Sequence, residues 1–198
     1  MPWKNADQTP VTIIKRDAVD AVAWKNGGGL TQALLAWPSP NDWQLRLSVA
    51  TITKDGAFSE FPGVTRWFTV LDGAGVTLAL PNQTLTAEPE SEPLMFNGTD
   101  ACHAHLLDQP VSAFNVMATP ALKTTVGRFK AQTQPIRAAA GLIAVFGLTP
   151  SKNLIGTTQI ALQPHELFWC VVPTATDISG LDGQSIWVNA TPLVPVAK

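Results

Sequence analysis

The sequence reads as an all-β protein. Short apolar or alternating runs recur along the whole chain, with Pro and Gly between them, and no stretch sustains a helical period. Strands at this spacing build a sandwich or a barrel. With 198 residues the chain suits one compact body or two small lobes, and the recurring strands favour two lobes of similar make within one unit. The first lobe is expected at about residues 8–118 and the second at about 119–192, with the change-over near 118–123.

The elements follow in order. Residues 11–15 (V-T-I-I-K) form a β-branched strand after Pro10, and residues 17–22 read as a brief helical turn. Trp24-Lys25-Asn26-Gly27-Gly28-Gly29-Leu30-Thr31 comes next. Three successive glycines lose much backbone entropy on folding, so they mark a close backbone approach or a surface loop. Residues 33–37 read as a strand ended by Pro38. Residues 43–52 alternate, with Trp43, Leu45, Leu47 and Val49 on one face and Gln44, Arg46, Ser48 and Ala50 on the other. Arg46 therefore points either to solvent or into a pocket.

Residues 57–75 (A-F-S-E-F-P-G-V-T-R-W-F-T-V-L-D-G-A-G) are the most informative stretch. Phe58 and Phe61 precede a Pro62-Gly63 turn, and Arg66 follows where the turn enters the apolar run 67–71. A guanidinium beside a core keeps its charge, so it needs an anion from the protein or from a ligand. Residues 76–80 are expected to return antiparallel as a hairpin. Further strands are read at 94–96, 111–117, 123–129, 141–146, 158–162, 167–172 and 185–188, while residues 81–83 and 87–93 read as loop.

Net charge is -2 with a pI near 5.9 and no basic run, which argues against a nucleic-acid partner. The start, Met1-Pro2-Trp3-Lys4-Asn5, lacks a signal-peptide core, and no stretch is long enough to span a bilayer. Two cysteines, Cys102 and Cys170, are too few for a disulfide scaffold. A cytoplasmic protein without a membrane partner is the expectation, as monomer or homodimer.

His103-Ala104-His105 puts two imidazoles on one strand face, roughly 7 Å apart. That suits two ligands of one metal, but no Glu follows closely and His165 lies far along the chain. Surface histidines are the simpler reading, and no metal or cofactor is expected. Cys102 and His103 are neighbours on a strand and so face opposite ways, which disfavours nucleophilic pairing. Glu88, Glu90 and Glu92 read as a solvated loop, and the aromatics as core. What remains is an anion-friendly set: Lys25, Asn26, Arg46, Arg66 and Asn115. A charged hydrogen bond contributes roughly 1.5–3 kcal/mol and a micromolar ligand needs about 8 kcal/mol, so two cations with amide help suit a small carboxylate.

At these residues the sequence resembles the HutD/Ves family of bacterial proteins. The matching pieces are Trp24 to Gly29 with Thr31, Arg46-x-Ser48-x-Ala50, Phe58-Ser59-x-Phe61-Pro62-Gly63-x-x-Arg66, Leu71-x-Gly73-x-Gly75 and Phe114-Asn115-x-Met117. The resemblance implies a double-cupin (RmlC-like) fold and a pocket lined by the Lys-Asn-Gly stretch and the Arg after Phe-Pro-Gly. It also implies a link to histidine utilisation, through binding of formylglutamate or urocanate and limiting of pathway induction. The chain departs from the pattern where Ala33 stands for Glu and Ala113 for Asp. It departs again where Ala118-Thr119-Pro120 replaces the Arg after Met117. The ligand-binding set is then Arg66, Lys25, Asn26, Arg46, Asn115, Gly27, Gly28, Gly29, Thr31 and Ser48, with no catalytic residue. An enzyme using His103, His105 and His165 or Glu166 on a small acid is the rival reading, and a drifted member with a structural or interaction role is a third.

Overall fold

Strand alternation places one apolar set of side chains between two sheets, and this happens twice along the chain. The computed structural model describes residues 12–108 and 110–193, which are nearly all strand apart from connections and one 3-10 turn at Arg16–Ala18. The first residue expected in the opening strand, Val11, and the expected start of the first lobe at residue 8 lie outside the described residues. Two units emerge. One is Val19–Pro120, the N-terminal lobe; the other joins the segment ending at Ala18 to everything from Ala121 on, the C-terminal lobe.

The chain opens with β1 (Thr12–Lys15). The N-terminal lobe then holds β2 (Val22–Ala23), β3 (Gly29–Trp37), β4 (Leu45–Ile52), β5 (Gly56–Ala57), β6 (Thr65–Asp72), β7 (Val76–Leu80), β8 (Gln83–Ala87), β9 (Leu94–Asn97), β10 (His103–Leu106) and β11 (Val111–Ala118). They form a six-stranded sheet in the order β2-β3-β4-β11-β6-β9 and a four-stranded sheet in the order β5-β10-β7-β8. Between the sheets pack Ile52, Phe68, Val70, Val76, Leu78, Phe96, Cys102, Ala104 and Ala113. A fully buried side chain of the size of Phe68 contributes roughly 1.5–3 kcal/mol.

The C-terminal lobe holds β12 (Leu122–Phe129), β13 (Ile136–Ala138), β14 (Gly141–Gly147), β15 (Ser151–Ile155), β16 (Thr158–Leu162), β17 (Glu166–Val172), β18 (Thr176–Asp182) and β19 (Ser185–Pro192). Its sheets run β1-β17-β14-β19-β12 and β13-β18-β15-β16. The succession β4-β11-β6-β9 thus reappears as β12-β19-β14-β17, and β5-β10-β7-β8 as β13-β18-β15-β16. The two lobes share one topology.

Three expectations need correction. The opening strand does not belong to the first lobe: β1 pairs antiparallel with β17, Thr12 opposite Trp169 and Ile14 opposite Leu167, and so forms an edge of that sheet. The hairpin expected between residues 67–71 and 76–80 is absent. β6 pairs with β11 and β9, while β7 pairs with β10 and β8, so Gly73–Gly75 is a corner between sheets. Gly73 and Gly75 take φ of 97° and 118°, which permits that corner. The helical turn expected at 17–22 is shorter, and Val22–Ala23 is already strand. Sequence reasoning also passed over β8, β13, β15 and β18, whose outward positions carry polar residues or single apolar ones.

Candidate ligand-binding site

The register of the six-stranded sheet brings the two strand arginines together. Met117 of β11 lies opposite Arg46 of β4 on one side and Arg66 of β6 on the other. The next row on this face is Ser48, Asn115 and Phe68, and the one after it Ala50, Ala113 and Val70. One end of the inner face is therefore polar while the rest is core. Over the polar end opens a cavity of about 530 Å³.

The lining contains Lys25, Asn26, Thr31, Arg46, Ser48, Arg66 and Asn115, together with Trp24, Phe58, Ser59, Phe61, Phe68 and Met117. No Asp or Glu stands among the described lining residues. Arg46, solvent-facing or pocket-lining by sequence alone, lines the cavity. Of the aromatics read as core, Trp24 and Phe58 do pack against it but also form the cavity wall, as does Phe61. Their adjacency to the Lys-Asn-Gly and Pro-Gly-x-x-Arg motifs was the available signal.

Arg66 is the centre of the site. It is only 7% exposed, and its guanidinium carbon lies 5.0, 5.2 and 5.8 Å from the ring centroids of Phe96, Phe58 and Phe61. Nη1 donates to the Ser59 carbonyl and Nη2 to Asn115 Oδ1, both at 3.4 Å, the long end of the range. Nε is buried with no partner. Aromatic faces attract a cation without replacing its hydrogen bonds. Burial pushes the guanidinium down to about 10, Cys102 opposing this and Arg46 adding to it, so it stays charged at neutral pH. Burial lowers Arg46 as well. It also pushes the Cys102 thiol up to about 11, against the pull of Arg66, so this cysteine is a neutral core group.

The wall is fixed locally. The Pro-Gly turn takes φ of 76° at Gly63 and is tied to Gly98 through Phe61 N–H to the Gly98 carbonyl (2.7 Å) and Gly98 N–H to the Val64 carbonyl (2.6 Å). Trp24 Nε1 donates to Thr31 Oγ1 at 2.7 Å, and its ring meets Phe58 edge-on at 6.0 Å. Asn26 is a loop brace: Oδ1 accepts from Gly28 N–H at 3.0 Å and Nδ2 reaches the Ala57 carbonyl at 3.4 Å. The glycines do not line the cavity. Gly27 supplies a positive φ of 67°, and a Cβ on Gly29 would collide with the Thr51 carbonyl oxygen. The close approach read from this triplet is to β4, not to a ligand.

His103 and His105 lie elsewhere. Both are exposed on β10 while Ala104 between them is in the core, and their rings stand 4.5 Å apart. His105 Nδ1 is 3.1 Å from Asp55 Oδ2. Among the described residues no three His, Cys, Asp or Glu side chains are placed to hold a metal ion.

Comparison with known proteins agrees with this fold. The HutD family model matches residues 16–188. The chain belongs to the HutD family. Protein Ves of Cronobacter sakazakii is 34% identical over 95 residues, 48% of this chain and 52% of that protein. An uncharacterized 21.2 kDa protein in the hutC 3′ region of Pseudomonas putida is 31% identical over 110 residues, 54% of this chain and 58% of that protein. The chain thus spans about half the length of the curated relatives it matches. The structure of HutD from Pseudomonas fluorescens SBW25 superposes with a TM-score of 0.82 at 23% identity, covering 93% of this chain and all of that one. A cupin 2 conserved barrel protein from Leptotrichia buccalis gives 0.57 at 12%, covering 94% and 100%. The fold is all-β, with two cupin-like lobes. No helix among the described residues is long and apolar enough to cross a membrane.

Proposed function

We propose that this HutD-family chain binds a small carboxylate in the cavity of its N-terminal lobe and thereby modulates histidine utilisation in the cytoplasm. Formylglutamate or urocanate would be the ligand. The observation that carries this reading is charge: Lys25, Arg46 and Arg66 face one cavity without an acid, and the most buried of them keeps an unpartnered Nε. A buried cation that lacks a protein anion destabilises the empty protein, and such a cost persists where a ligand anion offsets it. Arg66 would clamp the carboxylate, Arg46 and Lys25 would add attraction, and the Asn115 amide and Ser48 hydroxyl would orient it. Thr31 holds the Trp24 wall, and Asn26 with Gly27–Gly29 shapes the loop that carries Lys25. The name of the Pseudomonas putida relative, which places it in the hutC 3′ region, supports the metabolic link.

Calorimetric titration with formylglutamate and urocanate tests this. Micromolar binding by the parent protein that disappears in Arg66→Ala is expected. Equal binding by parent and Arg66→Ala would rule out the clamp.

A further inference from the structure

The outward face of β10 carries a cluster that the cavity does not use. His103 and His105 are both exposed there, and their ring centres stand 4.5 Å apart. Their cross-strand neighbours are small: Ala57 and Ala79 beside His103, and Thr77 beside His105. Behind His105 lies Asp55, 50 residues earlier in the chain. Its Oδ2 is 3.1 Å from His105 Nδ1, and its Oδ1 accepts from Leu106 N–H at 2.9 Å. These bonds favour the ionised carboxylate, which can only accept. Nδ1 of His105 therefore carries the ring proton, and Nε2, across the ring, keeps its lone pair.

We infer that His103 and His105 chelate a divalent transition ion of the zinc type on the outer face of the N-terminal lobe, with Asp55 as the positioning residue behind His105. A carboxylate on the far ring nitrogen fixes the tautomer and the orientation of a metal-bound histidine, and Asp55 stands in that place. An ion about 2.0–2.1 Å from one nitrogen of each ring, seen at roughly a right angle, puts the ring centres roughly 4.5–5 Å apart. The observed spacing therefore asks the rings to turn and leaves the strand where it is. Imidazole suits zinc, copper and nickel, whereas magnesium keeps to oxygen ligands. No third His, Cys, Asp or Glu among the described residues is placed to join the pair, so water completes the shell. Such an ion exchanges readily and does not hold the fold together.

Calorimetry of the full chain, free of any affinity tag, tests this with Zn²⁺ as the probe and Mg²⁺ beside it. One Zn²⁺ per chain at micromolar concentration, and no response to Mg²⁺, is the expected result. His103→Ala and His105→Ala should each weaken Zn²⁺ by roughly tenfold or more, because a single imidazole has no chelate partner. Thermal melts in chelator should show both variants folded like the parent protein. Asp55→Asn should keep one ion per chain and weaken it roughly tenfold. Nitrogen NMR of the imidazoles separates positioning from a merely structural role: Zn²⁺ should move the Nε2 signal of His105 and leave Nδ1 protonated. Zn²⁺ binding that survives loss of both histidines would overturn the inference, as would no binding at millimolar Zn²⁺. Zn²⁺ on Nδ1 of His105 would overturn the part given to Asp55.

Discussion

The two lobes share a strand order yet treat their interiors differently. In the C-terminal lobe the cross-strand row Gly127, Trp187 and Val145 is filled by the indole of Trp187, and a Cβ on Gly127 would stand 2.7 Å from that ring. In the N-terminal lobe the matching row is Ala50, Ala113 and Val70, two methyl groups where the other lobe has an indole over bare backbone. The matching rows next to these are Thr125, Asn189 and Ile143, and Ser48, Asn115 and Phe68. Asn189 is satisfied by backbone, accepting from Ala139 N–H at 2.9 Å and donating to the carbonyls of Ala139 and Leu142. Asn115 instead meets Arg66, and the residue at the same distance before the β14–β15 connection as Arg66 is before its own is Gly141. One topology thus gives a row filled by an indole in one lobe and an open, cationic cavity in the other. A few inward side chains decide which.

If that comparison holds, transplanting the plug should close the open lobe. The double variant Ala50→Gly/Ala113→Trp is expected to keep its β-rich circular dichroism and lose carboxylate binding in calorimetry by more than roughly a hundredfold, about 2.7 kcal/mol. In the filled lobe Trp187→Ala should cost about 3 kcal/mol in denaturant unfolding through the void it leaves. Gly127→Ala should cost about 1–3 kcal/mol because the indole must move. Arg66→Met is expected to act in the opposite direction, raising unfolding free energy by about 1–2 kcal/mol because it removes a buried, under-bonded cation.

The smallest effect concerns the outside of the open lobe. A hydrogen bond from Leu106 N–H, and then one from His105, hold the Asp55 carboxyl below its ordinary range. A depressed folded pKa gives stability that is present above the unfolded value and is lost as pH falls through the folded one. Asp55→Asn should therefore lower the melting temperature slightly near neutrality. The difference should fade in acid, with ligand binding unchanged.

Part of this was legible in the chain. The alternation of residues 43–52 and the Arg66 entry into an apolar strand place both cations correctly on their strands, because period two is a local property. Their meeting was not legible. It requires β11 to insert between β4 and β6, a pairing across long sequence separations that no local pattern encodes. The same cause hid the partner of β1. The missed corner at Gly73–Gly75 shows that a two-strand run with a Gly turn does not choose between hairpin and sheet change; the packing of β7 against β10 decides. Of the two readings left open for the glycine triplet, a close approach and a surface loop, Gly29 fits the first, and the surface it approaches is β4. Ala33 lies opposite Ser48 in the lining and Ala113 opposite Ala50. Where the family resemblance led to acids, the structure has methyl groups.

The most direct measurement is a crystal structure of the protein grown with formylglutamate. The expected result is one ligand per chain in the N-terminal lobe, with a carboxylate oxygen within hydrogen-bond distance of Arg66 Nε. A ligand at His103 and His105, or a cavity left to water at saturating ligand, would contradict the account.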